Sequence, residues 1–259
     1  AERTATVATG GILDLQNENA LGSADWTLTL AAGADDEDST TPAGAIVRTD
    51  GDVRLRGTVT VTGTGSATLG TYNLAIDDAL TVDIPVGATL DLAASNVMTP
   101  TGAPEDATFT KTGAGVLDIT SGNFELGLPV SIEAGTLRLS AAAVSPSPSG
   151  DRTIDWNVRN GGTLAFGGNA NTFNLDQYGA LTVEAGGTLT LTDRAVTING
   201  DTENLPLLDA GSTVSFGNGL LLPSSTTGVL NFANGGRVGG TVTVVLNAPA
   251  DALPQQTVT

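Results

Sequence analysis

Four aspartates stand where carboxylates could act in concert. Asp14, Asp91 and Asp118 each lie between two apolar residues, in Leu13-Asp14-Leu15, Leu90-Asp91-Leu92 and Leu117-Asp118-Ile119. Asp83 holds a similar slot in Val82-Asp83-Ile84. In a strand this alternation turns the apolar pair to one side and the carboxylate to the other. If the segments carrying Asp91 and Asp118 lie side by side, their carboxylates come within about 5 Å. Two carboxylates at that spacing can hold a hard cation or form a glycosidase pair. The competing reading is a solvated surface slot. The other occupants of the slot, Arg138, Thr190, Ser215 and Asn231, favour it. No catalytic, cofactor-binding or metal-ligating residue is therefore assigned, and the chain is read as not an enzyme.

Other chemistry is narrowed by what the chain contains. With no His and no Cys, Ser-His-Asp and Cys-His machinery, disulfides and thiolate metal sites are all excluded. No P-loop, dinucleotide fingerprint or zinc spacing occurs, and the Gly-Gly-x-Gly-x-Asp nonapeptide of calcium-binding β-rolls is missing. The run Asp35-Asp36-Glu37-Asp38 reads as a hydrated loop, and calcium is the one cofactor left open. Trp26, Trp156, Tyr72 and Tyr178 could stack on sugars, but scattered aromatics more often pack or cap strands. The formal net charge of −18 makes nucleic acid and anionic lipid poor partners. No apolar run approaches the ~18 residues of a membrane-spanning helix.

The elements that position these residues come from a repeat. A Gly, a spacer and two apolar residues separated by one outward residue recur along the chain. Copies include Gly11-Ile12-Leu13-Asp14-Leu15, Gly87-Ala88-Thr89-Leu90-Asp91-Leu92 and Gly115-Val116-Leu117-Asp118-Ile119. Others are Gly135-Thr136-Leu137-Arg138-Leu139, Gly162-Thr163-Leu164-Ala165-Phe166 and Gly187-Thr188-Leu189-Thr190-Leu191. Gly211-Ser212-Thr213-Val214-Ser215-Phe216, Gly228-Val229-Leu230-Asn231-Phe232 and Gly240-Thr241-Val242-Thr243-Val244 complete the series. From Gly87 to Gly211 the steps are twenty to twenty-eight residues, the length of a solenoid coil. The last two steps are shorter and mark other strands of a coil or an altered terminal turn.

Short alternating runs such as Leu80-Thr81-Val82-Asp83-Ile84, Val130-Ser131-Ile132 and Val196-Thr197-Ile198 lie between the glycine motifs. They supply two or three flat faces per coil. One coil cannot bury its inner residues alone, whereas stacked coils bury a continuous core. Few aromatics (4%) among 40% hydrophobic residues suit such a thin core. The expected fold is all-β, a right-handed parallel β-helix (β-solenoid) of roughly 10 coils, a rod on the order of 50 Å long. An antiparallel sandwich or barrel is the competing architecture. The whole chain, 1–259, reads as one segment of a longer polypeptide. Stretches 31–45, 96–106 and 141–151 read as loop insertions.

Thr110-Lys111-Thr112-Gly113-Ala114-Gly115-Val116-Leu117-Asp118-Ile119, closing in Ala134-Gly135-Thr136-Leu137-Arg138-Leu139, resembles the autotransporter-associated β-strand repeat. This is also called the passenger-associated transport repeat. The likeness covers roughly thirty residues, and Phe124-Glu125-Leu126-Gly127-Leu128-Pro129 departs from the family's middle stretch. The resemblance implies a passenger-type β-helix of a Gram-negative surface protein, exported past the outer membrane. It implies a structural or adhesive role as stalk, adhesin or fibre subunit. Its partners would be a host or neighbouring-cell surface protein or glycan, or itself end to end. A carbohydrate-active β-helix enzyme and a phage-type fibre are the competing functions.

Overall fold

The computed structural model describes residues 3–15, 25–34, 43–48, 51–70, 72–100, 103–141, 143–144, 154–167, 172–176, 179–191, 196–200, 205–216, 230–232 and 236–246. The repeated Gly-x-Leu-x-Leu segments become one ten-stranded sheet. Its strands run in chain order from Ile12–Asp14 and Ile46–Arg48 through Gly65–Gly70, Ala88–Leu92, Val116–Ile119, Gly135–Leu139 and Gly162–Phe166. The sheet ends with Thr188–Leu191, Thr213–Phe216 and Thr243–Leu246.

A second, sixteen-stranded sheet bends over two further faces. The first of these faces carries Arg3–Val7, Trp26–Ala31 and the latter halves of the long strands Asp52–Thr62 and Asn73–Asp83. Phe109–Thr112, Val130–Ile132, Trp156–Val158 and Leu181–Val183 continue it. The other carries the opening halves of the two long strands, then Asn96–Met98, Asn123–Glu125, Ala143–Val144, Thr172–Asp176 and Val196–Gly200. Neighbouring coils pair in parallel on all three faces. The chain is a parallel β-solenoid, with no helix among the described residues. The antiparallel sandwich is thereby overturned.

Fewer turns than the ten expected are closed by strands on all three faces. The first and last turns show strands on only two of them among the described residues. Stretch 96–106 opens with the wall strand Asn96–Met98, and 141–151 includes the strand Ala143–Val144. Ala32 and Ala45 are buried, and the Ala45 N–H donates to the Ala31 carbonyl at 2.8 Å. Residues 35–42, 101–102 and 145–151 lie outside the described set.

The core consists of ladders of like residues. Leu90, Leu117, Leu137, Leu164 and Leu189 stack in register on the ten-stranded sheet, all fully buried. Beside them runs Val47, Leu69, Leu92, Ile119, Leu139, Phe166 and Leu191. Facing them on the third wall is Val53, Leu74, Val97, Phe124, Val144 and Phe173. Rings from all three faces meet in the middle of the rod. Trp156 lies edge-to-face with Phe124 at 5.9 Å and with Phe173 at 4.8 Å, and Phe173 with Phe166 at 5.6 Å. The glycines turn a corner. Gly135 (φ 67°) and Gly186 (φ 79°) sit in the left-handed region open to residues without a Cβ.

Two registers differ from the sequence expectation. Asp14 pairs with Arg48, whereas Ile12 occupies the column that leads through Ile46 and Thr68 to Asp91. Likewise Val244, not Val242, aligns with Val214. Both offsets are two residues, so the strand period keeps each side chain on its face while the pairing slides. Leu230–Phe232 of the Gly228 motif lies on the third wall against Val196–Ile198, on another strand of the coil as expected.

Candidate functional site

Asp91 and Asp118 are brought together as the sequence suggested. They are direct register partners on adjacent coils of the ten-stranded sheet. The next partner in the column is Arg138. Arg138 Nη2 donates to Asp118 Oδ2 at 2.5 Å, and Ser140 Oγ donates to Asp118 Oδ1 at 2.8 Å. Thr120 Oγ1 donates to Asp91 Oδ1. Both oxygens of Asp118 are thus engaged, one of them by the guanidinium of the next coil. The Arg138 guanidinium is held above its ordinary range by its hydrogen bond to Asp118; burial opposes this, and the charges of Asp118 and Asp91 add to it. This is a hydrogen-bonded ladder with one ion pair rather than an open carboxylate pair.

The other candidates are separate from this column. Asp14 pairs with Arg48 at 3.4 Å on the exposed end of the same sheet. Asp83 lies on the adjoining face and accepts from Thr112 Oγ1 at 3.0 Å. The acidic run 35–38 and Tyr178 lie outside the described residues. Trp156 is core, whereas Tyr72 is exposed. Trp26 is partly buried against the core, with the Arg3 guanidinium 5.8 Å from its ring centre. Among the described residues no three acidic side chains gather in a way that could hold a metal ion.

Three polar features escaped the sequence reading. The first is Lys111, the sole lysine of the chain, fully buried between Val82 and Ile132 in an inward column. Its Nζ donates to the carbonyls of Thr112 (2.5 Å), Gly113 (2.8 Å) and Ala134 (3.3 Å), tying two coils at the glycine corner. Burial pushes the ammonium down to about 8, against the pull of Asp83. The alternation Phe109-Thr110-Lys111 carried the signal, because it gives Lys111 the inward parity of Phe109.

The second is an amide ladder. Asn123 donates to Asn96 (3.0 Å), Asn96 to Asn73 (2.7 Å) and Asn73 to Asp52 (2.7 Å), one residue per coil. The recurrence of Asn at coil spacing was its signal.

The third is a β-bulge. Register slips between Leu55 and Gly57, so Arg56 faces the extra residues Asp77 and Asp78. Arg56 reaches Asp77 at 2.9 Å and Asp78 at 3.2 Å, and Arg54 lies 3.5 Å from Asp77. Beside this bulge a groove of about 370 Å³ runs over Gly57 between Asp25 and Asp78.

Against this geometry, no protein-family description, no curated protein and no solved structure matches the chain.

Proposed function

We propose that the chain is a non-catalytic, extracellular structural and adhesive segment of a bacterial surface protein. It extends a rigid spine and presents loops and faces to a neighbouring surface. The observation that carries this reading is the outward column of the ten-stranded sheet. Its occupants change from coil to coil, and its one carboxylate pair is occupied by Arg138 and neighbouring hydroxyls. A scaffold tolerates such variety, whereas a catalytic face needs accessible acids and a substrate path. The resemblance of residues 110–139 to passenger repeats supports export past a Gram-negative outer membrane and placement at the cell surface. Its partners in this reading are surface proteins or glycans, or further copies stacked end to end, and no cofactor is required.

The test has two arms. Beads coated with the chain should adhere to cell layers or to one another, while uncoated beads should not. Polysaccharides incubated with the chain should stay intact. Turnover lost in Asp91→Ala or Asp118→Ala would replace this reading with a carbohydrate-active enzyme. A stable trimer in light scattering would favour a phage-type fibre.

A further inference from the structure

On the first face of the sixteen-stranded sheet the outward slots hold almost one residue type. One column runs Thr4, Thr27, Thr58, Thr81 and Thr110 over five successive coils. The column two residues further along each strand runs Thr6, Thr29, Thr60, Asp83 and Thr112. Nine of these ten slots are therefore threonine. The residues between them, Leu28, Val59 and Val82 among them, are buried, whereas all ten slots reach solvent. Register slips between Leu55 and Gly57, ahead of Thr58, and is unbroken across the ten slots.

Strand preference and cross-strand pairing favour Thr on any coil of any solvated face. Neither accounts for its confinement here. On the same face the next coils carry Ser131 and Asn157 in the first column, and Glu133, Arg159 and Glu184 close the corresponding strands. The outward column of the ten-stranded sheet holds Asp91, Asp118, Arg138 and Ala165 in succession. In a chain of net charge −18, the ten threonine-rich slots contain a single carboxylate, Asp83, which accepts from Thr112 Oγ1 at 3.0 Å. The result is an almost uncharged two-dimensional lattice of hydroxyls and methyls.

A lattice selects a partner that repeats with the same lengths. The slots recur about every 4.8 Å between coils and about every 6.6 Å along a strand. Waters in ice sit about 2.8 Å apart at tetrahedral angles, which places next-nearest oxygens about 4.5 Å apart and repeats the layers about every 7.3 Å. The two pairs of lengths agree within roughly a tenth. A threonine hydroxyl both donates and accepts, as a lattice water does, and its methyl orders the water beside it. Charged side chains would instead hold hydration shells of their own. We propose that this threonine lattice is an ice-binding face. Many weak contacts made at once give the attachment its strength. The inference stands apart from the adhesive reading, whose deciding observation lies on the other sheet.

The full chain is offered to a slowly growing ice surface, and its enrichment in the ice is compared with that of albumin. Enrichment at least fivefold above albumin is expected, together with a freezing point depressed below the melting point in osmometry. Thr29→Tyr and Thr60→Tyr each place a ring in the middle of the lattice without touching the core. Each should lower the enrichment at least threefold, with an unchanged urea midpoint showing that it is folded. If one of them fails to fold, the other carries the test. Thr190→Tyr, outward on the ten-stranded sheet, should leave the enrichment as it was. Exclusion of the chain from ice overturns the inference. So does enrichment that persists in both folded lattice variants, or that is lost equally in Thr190→Tyr. Retention on microcrystalline cellulose or chitin by a chain that ice excludes would overturn it too, and would assign the lattice to a polysaccharide crystal.

Discussion

Lys111 shows how one residue can be both part of a motif and a burden on the fold. Its ammonium is fully buried, and burial pushes it down to about 8 from an ordinary 10.5. Between those values the unfolded chain holds a proton that the folded chain has released. Stability should therefore rise with pH from about 8 towards 10.5, the reverse of an ordinary salt-bridged lysine. No other lysine titrates in that window. Urea unfolding at pH 7.5, 8.5 and 9.5 should show the midpoint climbing, and Lys111→Met should flatten the slope. A midpoint that falls equally in both proteins would show that the burden lies elsewhere. Gly135 makes a second point at this scale. A Cβ there would run into the Gly113 and Gly115 carbonyl oxygens at a positive φ. Gly135→Ala should cost at least about 2 kcal/mol by chemical denaturation. The inward Leu residues were legible because strand parity alone decides their side. The fate of the Lys111 amine was not, because only the folded corner brings the Ala134 carbonyl of the next coil to it.

At the scale of the strand, polar ladders do for the outer wall what Leu ladders do for the inside. Asn96 both donates to Asn73 and accepts from Asn123, so it serves three coils at once. Asn96→Ala should cost about 1–2 kcal/mol, roughly two net hydrogen bonds. Asn123→Ala, which removes one of these bonds, should cost about half as much. Equal losses in thermal melts would mean that the amides contribute through solvation rather than through the ladder. The Asp118–Arg138 pair is a weaker support, because Arg138 is about half exposed. The pairing of Asp91 with Asp118 was readable in the sequence because equal slots in consecutive motifs stack in register. The displacement of Asp14 was not. Where pairing slides by two residues the facing pattern is unchanged, so alternation alone carries no information about it. The bulge at Asp77–Asp78 was hidden for a related reason. It adds residues inside one long strand, and the sequence offers no Gly or Pro there to mark it.

At the scale of the rod, each coil touches only its two neighbours, so stability should be distributed along the axis as nearest-neighbour terms. The middle is reinforced. Phe124, Trp156, Phe166 and Phe173 interlock across three walls, whereas the Thr243–Leu246 strand leaves Val244 43% exposed. Two substitutions on one sheet separate these environments. Leu137→Ala removes a fully buried side chain between Leu117 and Leu164, and should cost about 2–5 kcal/mol. Val244→Ala removes a half-covered side chain with less to lose, and should cost under about 1 kcal/mol. Amide exchange should follow the same gradient. Protection should be greatest in the described strands from Phe109–Thr112 to Thr188–Leu191, and weakest at Arg237–Val238, Thr243–Leu246 and Arg3–Val7. A globular, all-or-none fold would instead give uniform protection and one transition for both variants. Uniform protection would refute the nearest-neighbour account and, with it, the idea that the ends of this spine open while the middle holds its shape.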